Sequence, residues 1–434
     1  MIKHIKYLYW NLPFLTDVQK ENFFYKLREI VRGKASIDKE NKTYILEAYR
    51  DQIHRIPSAR SKNSFVGITK KKYVRENNDI KLFAFYLPQF YPTRENDEWW
   101  GKGTTEWNNV CRAVPQFIGH YQPRQPGELG FYDLRLVENI ERQVELAKMY
   151  GIFGFCFYYY WFDGKRLLDK PLDTFIANHE IDFPFCLCWC NESWTSAFVS
   201  GGASTVIMKQ NDTEESYKKF IEDYSTYLKD DRYYSINGKK VLMIYKVQDI
   251  PNKRRVIEYW REYCLNNGIG ELYIIGCWRP GEKYDALEFG FDALFEFQAS
   301  SIMKYCKLVN DRIDFVDSDF TGRIYSYKDV VEEEIYKRNY TYQKLYHAIF
   351  PMWDNTPRRN NHDGIIFHES TPLLYKKWLK ELIKDNNERR DLDDNLGFIN
   401  SWNEWGEGSY IEPDKYYGYA YLNATREAIE ESRE

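Results

Sequence analysis

From about residue 81 the chain repeats one pattern. A short, continuous apolar run is followed by a longer stretch with apolar residues three and four apart. The runs Lys81–Leu87, Ile152–Tyr159, Phe183–Cys190, Lys240–Tyr245, Leu272–Cys277, Asp292–Phe297, Ala348–Trp353 and Leu396–Trp402 predict strands. Helices are predicted at Leu136–Tyr150, Pro171–His179, Glu214–Leu228, Arg254–Asn266, Lys328–Arg338, Leu373–Asn387 and Tyr419–Glu431. Apolar runs that do not alternate with polar residues suit strands covered on both faces by helices. Strand and helix in alternation imply parallel pairing through right-handed crossovers. Eight such units fit a (β/α)8 TIM barrel, in the α/β class. Between the fifth and sixth strands, Pro280–Phe291 leaves room for only a short helix. A doubly wound open sheet is the competing architecture, and it calls for a glycine-rich phosphate turn after the first strand. Leu87-Pro-Gln-Phe90 offers none.

Ahead of this rhythm, residues 1–80 read as a mainly helical extension, with helices at Asp17–Val31 and Asn41–Ile56 and a linker around Lys70–Lys72 and Asn77–Asp79. The extension holds 17 Lys+Arg against 9 Asp+Glu, a net of +8, which leaves −12 of the total −4 on residues 81–434. A basic arm on an acidic body suggests either a solvated helical face or peripheral contact with an anionic membrane surface. The arm lies outside the barrel pattern and is expected to be dispensable for folding. The whole-chain charge gives no case for a nucleic-acid partner. No secretory leader and no 18-residue apolar stretch stand out. The expected location is the cytoplasm, with the inner face of the membrane as a candidate position. Cys186, Cys188 and Cys190 alternate along one strand. Without an evident fourth ligand they read as free buried thiols, and no metal or cofactor is called for.

In a barrel, active-site groups come from loops at the C-terminal ends of the strands. The chain places its unusual motifs there. After the last strand, Asn403-Glu-Trp-Gly-Glu-Gly408 carries Glu404 and Glu407 three residues apart, flanked by Trp402 and Trp405 as candidate sugar-binding faces. If the loop makes one helical turn, the two carboxylates share a side, as paired carboxylates do in glycoside chemistry. Other rim positions supply candidate sugar-binding residues. These are Tyr86, Gln89, Trp99, Trp107 and His120 after the first strand, and Tyr159 and Trp161 on the second. Asn191, Glu192 and Trp194 follow the third, Glu296 ends the sixth, Trp353 and Asp354 follow the seventh, and Asn403 accompanies the pair. Glu106, Glu192, Glu296 and Asp354 are the remaining rim acids. Aromatic residues make up 18% of the chain, which suits ring stacking on pyranose faces as well as plain capping of the barrel.

Between about Lys81 and Tyr421 the chain resembles the WbsX family of polysaccharide-cluster proteins, whose fold is like glycoside hydrolase family 99. The resemblance rests on Tyr86-Leu-Pro-Gln-Phe-Tyr, Asn96-Asp-Glu-Trp-Trp-Gly-Lys-Gly, Thr105-Glu-Trp-Asn-Asn-Val110, Gly119-His-Tyr-Gln-Pro-Arg124, Gly154-Phe-Cys-Phe-Tyr-Tyr-Tyr-Trp-Phe162, Trp353-Asp-Asn-Thr-Pro-Arg-Arg359 and Asn403-Glu-Trp-Gly-Glu-Gly408. The related hydrolases are (β/α)8 endo-α-mannosidases and mannanases. The resemblance implies Glu404 as general base, acting on a sugar 2-hydroxyl to close a 1,2-anhydro intermediate, and Glu407 as general acid. The chain departs from those hydrolases at Gly406, where they carry His. It departs from WbsX relatives at Ser193 and Ser196, where they carry Asn and Arg.

The expected function is a retaining, metal-independent, two-carboxylate enzyme acting on glycosidic bonds of a bacterial surface polysaccharide. Its partner is an oligosaccharide or polysaccharide, with a lipid-linked form among the candidates. The alternatives are a sugar-nucleotide-dependent glycosyltransferase of O-antigen or capsule assembly, for which Asp317-Ser-Asp319 is the candidate metal-binding pattern, and a non-catalytic glycan-binding barrel.

Overall fold

The computed structural model describes residues 39–195, 205–279, 287–297, 302–317, 319–332, 344–359, 363–389 and 391–433. Eight parallel staves form the barrel. They are β1 Lys81–Tyr86, β2 Gly154–Phe162, β3 Phe185–Trp189, β4 Lys239–Ile244, β5 Leu272–Trp278, β6 Ala293–Glu296, β7 in two segments Leu345–Tyr346 and Ala348–Ile349, and β8 Leu396–Ile399. β1 lies between β8 and β2, with Phe83 opposite Phe398 on one side and Gly154 on the other. β7 closes the ring by dividing its pairing: Leu345 faces Leu294 of β6, and Ala348 faces Phe398 of β8. The TIM-barrel expectation therefore holds.

Aromatic residues fill both sides of the wall. On β2, Phe157, Tyr159 and Trp161 point outward. Phe157 packs on Phe175 of the helix Lys170–Ala177, and Trp161 on Phe220 of the helix Glu214–Leu228. Tyr158 on the same strand points inward and stacks on Phe85 at 5.4 Å, and Phe85 in turn stacks on Phe398 at 5.6 Å. The helix Glu214–Leu228 starts where Thr213 accepts a hydrogen bond from the Ser216 amide, with Glu214 and Glu215 in its first turn. That capping oxygen and those charges suit the amide-rich end of a helix. Its buried Phe220, Ile221, Tyr224 and Leu228 follow helical spacing and face the barrel. All eight cysteines are free, and Cys156 and Cys186 pack against Met243.

The seventh strand differs from the sequence expectation. It runs from Leu345 to Ile349, and the chain then leaves the wall. Trp353–Asp354 instead pairs antiparallel with Ile365–His368, in a small sheet that also holds Arg323–Ser326. The run from Ala348 to Trp353 stays buried throughout, so hydrophobicity does not mark where the pairing partner changes. The eighth strand likewise ends at Ile399, short of Trp402. Before β6, Leu287–Phe289 forms one 3₁₀ turn. The helix expected at Asp17–Val31 and the end of that expected at Lys328–Arg338 lie outside the described residues, which hold helix at Tyr327–Glu332. Among the described residues no helix is long and apolar enough to cross a membrane.

The sequence boundary near residue 80 falls within a segment tied to the barrel. After the helix Lys39–Arg55, the Ser61 amide donates to Tyr416 O at 2.8 Å, the Val66 amide to Tyr417 O at 3.1 Å, and the Tyr419 amide back to Val66 O at 2.8 Å. Arg75 reaches Gly151 O at 2.9 Å, and buried Asp79 accepts from Tyr73 and Arg433. Each hydrogen bond of this kind contributes on the order of 0.5–1.5 kcal/mol net. The last part of the basic extension is thus a strap across the barrel floor and the final helix, Ala420–Glu431. A chain beginning at Asn77 is expected to melt several degrees below the full chain. Superimposable thermal melts would show that the strap carries no stability.

Candidate active site

Past β8 the backbone crosses the barrel mouth and folds into a tight hairpin. Asn403–Glu404 pairs antiparallel with Ser409–Tyr410, and Trp405–Glu407 makes one 3₁₀ turn between them. Three residues per turn eclipses positions three apart, so Glu404 and Glu407 lie on one side, as the spacing predicts. Gly408 closes the hairpin at φ +58°, where a Cβ would also lie 3.0 Å from Arg124 Nε and 3.1 Å from the Asp354 backbone oxygen. The hairpin is held from below. Ser401 Oγ donates to Ser409 O at 2.7 Å and accepts from the Glu404 amide at 2.7 Å.

One guanidinium organises the acids. Arg358 Nη2 is 2.7 Å from Glu404 Oε2, Nη1 is 2.8 Å from Glu407 Oε1, and Nε is 2.8 Å from Glu106 Oε1. Arg358 rides on the turn Thr356–Arg359, which is built on Asp354. Asp354 Oδ1 accepts from the Thr356 amide at 3.1 Å and the Thr356 hydroxyl at 2.7 Å. Its Oδ2 accepts from Gln122 Nε2 and meets His120 Nε2, both at 2.7 Å. His120 Nδ1 accepts the Gln116 amide, so the neutral ring carries its proton on Nε2 and donates it to Asp354. Burial alone would raise the Asp354 carboxyl, but His120, Arg124 and Thr356 outweigh it and hold Asp354 well below the usual carboxylate range.

The acids face a cavity of about 330 Å³ at the barrel mouth. Of the sequence-predicted residues, Gln89, Glu106, Glu192, Trp194, Trp353, Glu404 and Glu407 line it. The other candidates stand behind its wall. Trp99 is edge-on to Trp194 at 5.9 Å. Trp107 and Trp405 pack on each other, their N–H groups donating to Tyr132 O and Glu412 Oε2. Trp402 is buried against Phe155. Tyr86 donates to Gln143, and Tyr159 and Trp161 face the outer helices. Asn403 holds both the amide and the carbonyl of Leu87, and Asn191 does the same for Lys246. His120 and Asp354 underlie the Arg358 turn. Glu296 binds His347 at 2.9 Å, which binds Asp385 at 3.0 Å on the helix Pro372–Glu388. Asn403, placed beside the pair by the sequence, therefore spends its side chain on the backbone past β1 and does not support the Glu404 charge. Arg358 does.

The sequence reading missed Arg358, Asn96, Asn109, Trp100, Tyr158, Tyr160 and Tyr245 in the wall. The signal for Arg358 was charge: a rim with this many acids needs a cation, and the seventh-strand motif ends in two. Asn96 is 1% exposed and Trp353 5%, yet Asn96 Nδ2 and Trp353 Nε1 have no hydrogen-bond partner among the described residues.

The Glycosyltransferase WbsX family matches residues 82–425 of this chain. The chain belongs to that family. Uncharacterized protein WxcX from two strains of Xanthomonas campestris pathovar campestris is 39% identical over 384 residues, covering 87% of this chain and 54% of the relative. The chain thus spans about half the length of the curated relatives it matches. Among solved structures, a glycoside hydrolase-like protein matches with a TM-score of 0.50 and 16% identity, covering 85% of this chain and 98% of the other. An endo-α-mannosidase of glycoside hydrolase family 99 from Bacteroides thetaiotaomicron matches with a TM-score of 0.49 and 15% identity, over 83% of this chain and 98% of the other.

In this WbsX-family barrel both central carboxyls bind protons more tightly than usual. Burial pushes Glu404 up to about 8 against the opposing pull of Arg358, with Glu407 and Glu106 adding to the rise. Burial also raises Glu407, again opposed by Arg358. The Glu404 side chain is 6% exposed, whereas that of Glu407 is 22% exposed. Behind Trp405, burial raises Glu412 to about 7.

A carboxyl whose pKa is raised on folding stabilises the fold below its unfolded value, and that contribution is lost as pH rises through the folded value. For Glu404 the window runs from about pH 5 to about pH 8. Over that range the wild-type melting temperature is expected to fall more steeply than that of Glu404→Gln, which keeps the shape and an acceptor for Arg358. At about pH 8 the variant should melt higher. Parallel curves would place the Glu404 proton elsewhere.

Proposed function

We propose that this chain is a carbohydrate-active enzyme that cleaves or transfers glycosyl units of a polysaccharide, with Glu404 and Glu407 as its reacting carboxylates. The reading rests on two carboxyls, both raised by burial, meeting one guanidinium in the wall of a cavity lined by aromatic faces. Tyr158, Tyr160, Trp100, Trp194 and Trp353 offer apolar surfaces for pyranose rings. The unpaired N–H groups of Asn96 and Trp353 are buried donors for which sugar hydroxyls are natural acceptors.

One carboxyl protonates the departing glycosidic oxygen, and the other takes the proton from the attacking hydroxyl. The family resemblance assigns Glu407 as the acid and Glu404 as the base. The deeper burial of Glu404 favours the reverse placement of the resting proton. Arg358 already supplies the positive charge that faces the pair, so the mechanism proposed is metal-independent. Transfer and hydrolysis by this pair differ only in the final acceptor, a sugar hydroxyl or water, and the family description favours transfer. A sugar-nucleotide-dependent transferase is the second reading. Asp317 and Asp319 are absent from the cavity wall, and Asp317 accepts the Asp319 amide in a local turn. A polysaccharide substrate, a lipid-linked form of it and a membrane-facing position remain proposals of the same reading.

The test uses the surface polysaccharide of the producing cell and a series of aryl glycosides with good leaving groups, with products followed by anomeric NMR. Wild type should form product with retained configuration in excess chelator. Glu404→Gln and Glu407→Gln should each lose roughly 10²–10⁴ in rate on the natural glycan. The acid variant alone should recover on activated aryl glycosides, which assigns the two roles. Turnover that needs manganese and a nucleotide sugar would favour the second reading, and near-normal turnover by both variants would sink the first.

A further inference from the structure

Glu106 is the third acid on Arg358. It opens the short helix Glu106–Cys111, whose N-cap Thr105 exchanges hydrogen bonds with Asn108 in a capping box. The side chain is 1% exposed and spends both oxygens, Oε1 on Arg358 Nε at 2.8 Å and Oε2 on Asn109 Nδ2 at 3.1 Å. Glu106 and Asn109 both line the cavity.

Gly406 makes room for it. A methyl group on Gly406 would lie 1.6 Å from Glu106 Oε1, 2.8 Å from its Cδ and 3.0 Å from Arg358 Nε. Gly406 is not among the glycines with positive φ, so its backbone does not require glycine. Space does, and what claims that space is the far end of one acidic side chain. A residue of any other kind at position 406 displaces the Glu106 carboxylate.

We propose that Glu106 is a positioning residue for the Glu404–Glu407 pair, fixing the Arg358 guanidinium between them from its Nε edge, and that Gly406 is the opening that admits it. A guanidinium pairs best when two parallel N–H groups engage one carboxylate. Left free to turn, Arg358 would close such a fork on Glu404 or Glu407 and hold that acid fully ionised. Glu106 occupies the Nε edge and leaves each of the pair one contact. It also adds a negative charge that opposes ionisation of both. The cluster thereby keeps a proton on the pair near neutrality.

The proposal rests on reading Glu404 and Glu407 as the reacting acids, but its test needs no substrate. Carboxyl titration is followed by infrared spectroscopy, with Glu404→Gln and Glu407→Gln assigning the bands. Glu106→Gln keeps an acceptor for Arg358 and removes the charge. It should melt near wild type while the pair titrates at lower pH. Gly406→Ala should lower the melting temperature and shift the same titration, because it drives Glu106 off Arg358. Glu106→Ala/Gly406→Ala should melt above Gly406→Ala, since the clash is gone. An unchanged pair titration in Glu106→Gln, or a Gly406→Ala protein that melts like wild type, would overturn the proposal. Failure of the catalytic reading would show separately, as turnover surviving in Glu404→Gln and Glu407→Gln.

Discussion

The barrel mouth depends on one cation set among three carboxylates. Arg358 meets Glu106, Glu404 and Glu407, each through a different nitrogen. Taking charges out of water is costly, and the cost is recovered only where geometry is good and remaining donors are satisfied. The surroundings of Arg358 meet that condition. Its turn is fixed by Asp354, Asp354 by His120 and Gln122, and the Pro357 carbonyl by Arg112 Nε at 2.9 Å. With three acids against Arg358 and the neighbouring Arg359, which acts on Glu407, the cluster still carries excess negative charge unless it holds protons. The raised affinity of Glu404 and Glu407 for protons follows from that composition and from burial, before any substrate arrives.

The mouth is assembled from loops that would otherwise carry unpaired backbone groups. Two asparagines solve this in the same way. Asn403 follows β8 and binds the amide and carbonyl of Leu87, just past β1. Asn191 follows β3 and binds those of Lys246, just past β4. A side-chain amide presents an N–H donor beside a carbonyl acceptor, as a peptide group does. Each asparagine therefore extends the barrel ladder by one rung after the strands have diverged. These residues shape the site from behind its wall.

The fold was legible because its signal is repetitive. Eight apolar runs spaced by amphipathic stretches leave little besides a parallel barrel, and the Glu404–Glu407 spacing survives as a 3₁₀ turn. What did not transfer was which side of a strand a residue faces. On β2, the sequence reading chose Tyr159 and Trp161 and passed over Tyr158 and Tyr160. The structure turns the first two to the helices and the second two to the cavity. A strand covered on both faces is apolar on both, so the period of two is present in the backbone and invisible in hydrophobicity. The same blindness moved the end of β7 and made Trp402 and Trp405 look like sugar platforms, although they are packing residues. Arg358 was hidden differently. Its motif was noticed for Trp353 and Asp354, whereas its role depends on acids from two other loops, and such convergence has no local signature.

Gly406 joins these observations. Within the loop sequence, a glycine between Trp405 and Glu407 reads as a turn residue. Its backbone does not need glycine, and the glycine answers to a side chain 300 positions earlier in the chain. Substitution at one position is therefore bound to the residue at the other: a side chain at 406 requires that residue 106 give up its place on Arg358. This chain holds three acids on Arg358 with a bare glycine at 406, and a larger residue there would contend with the Glu106 carboxylate for the same volume. The proton count of the cluster is thus set by a steric choice made across the barrel mouth.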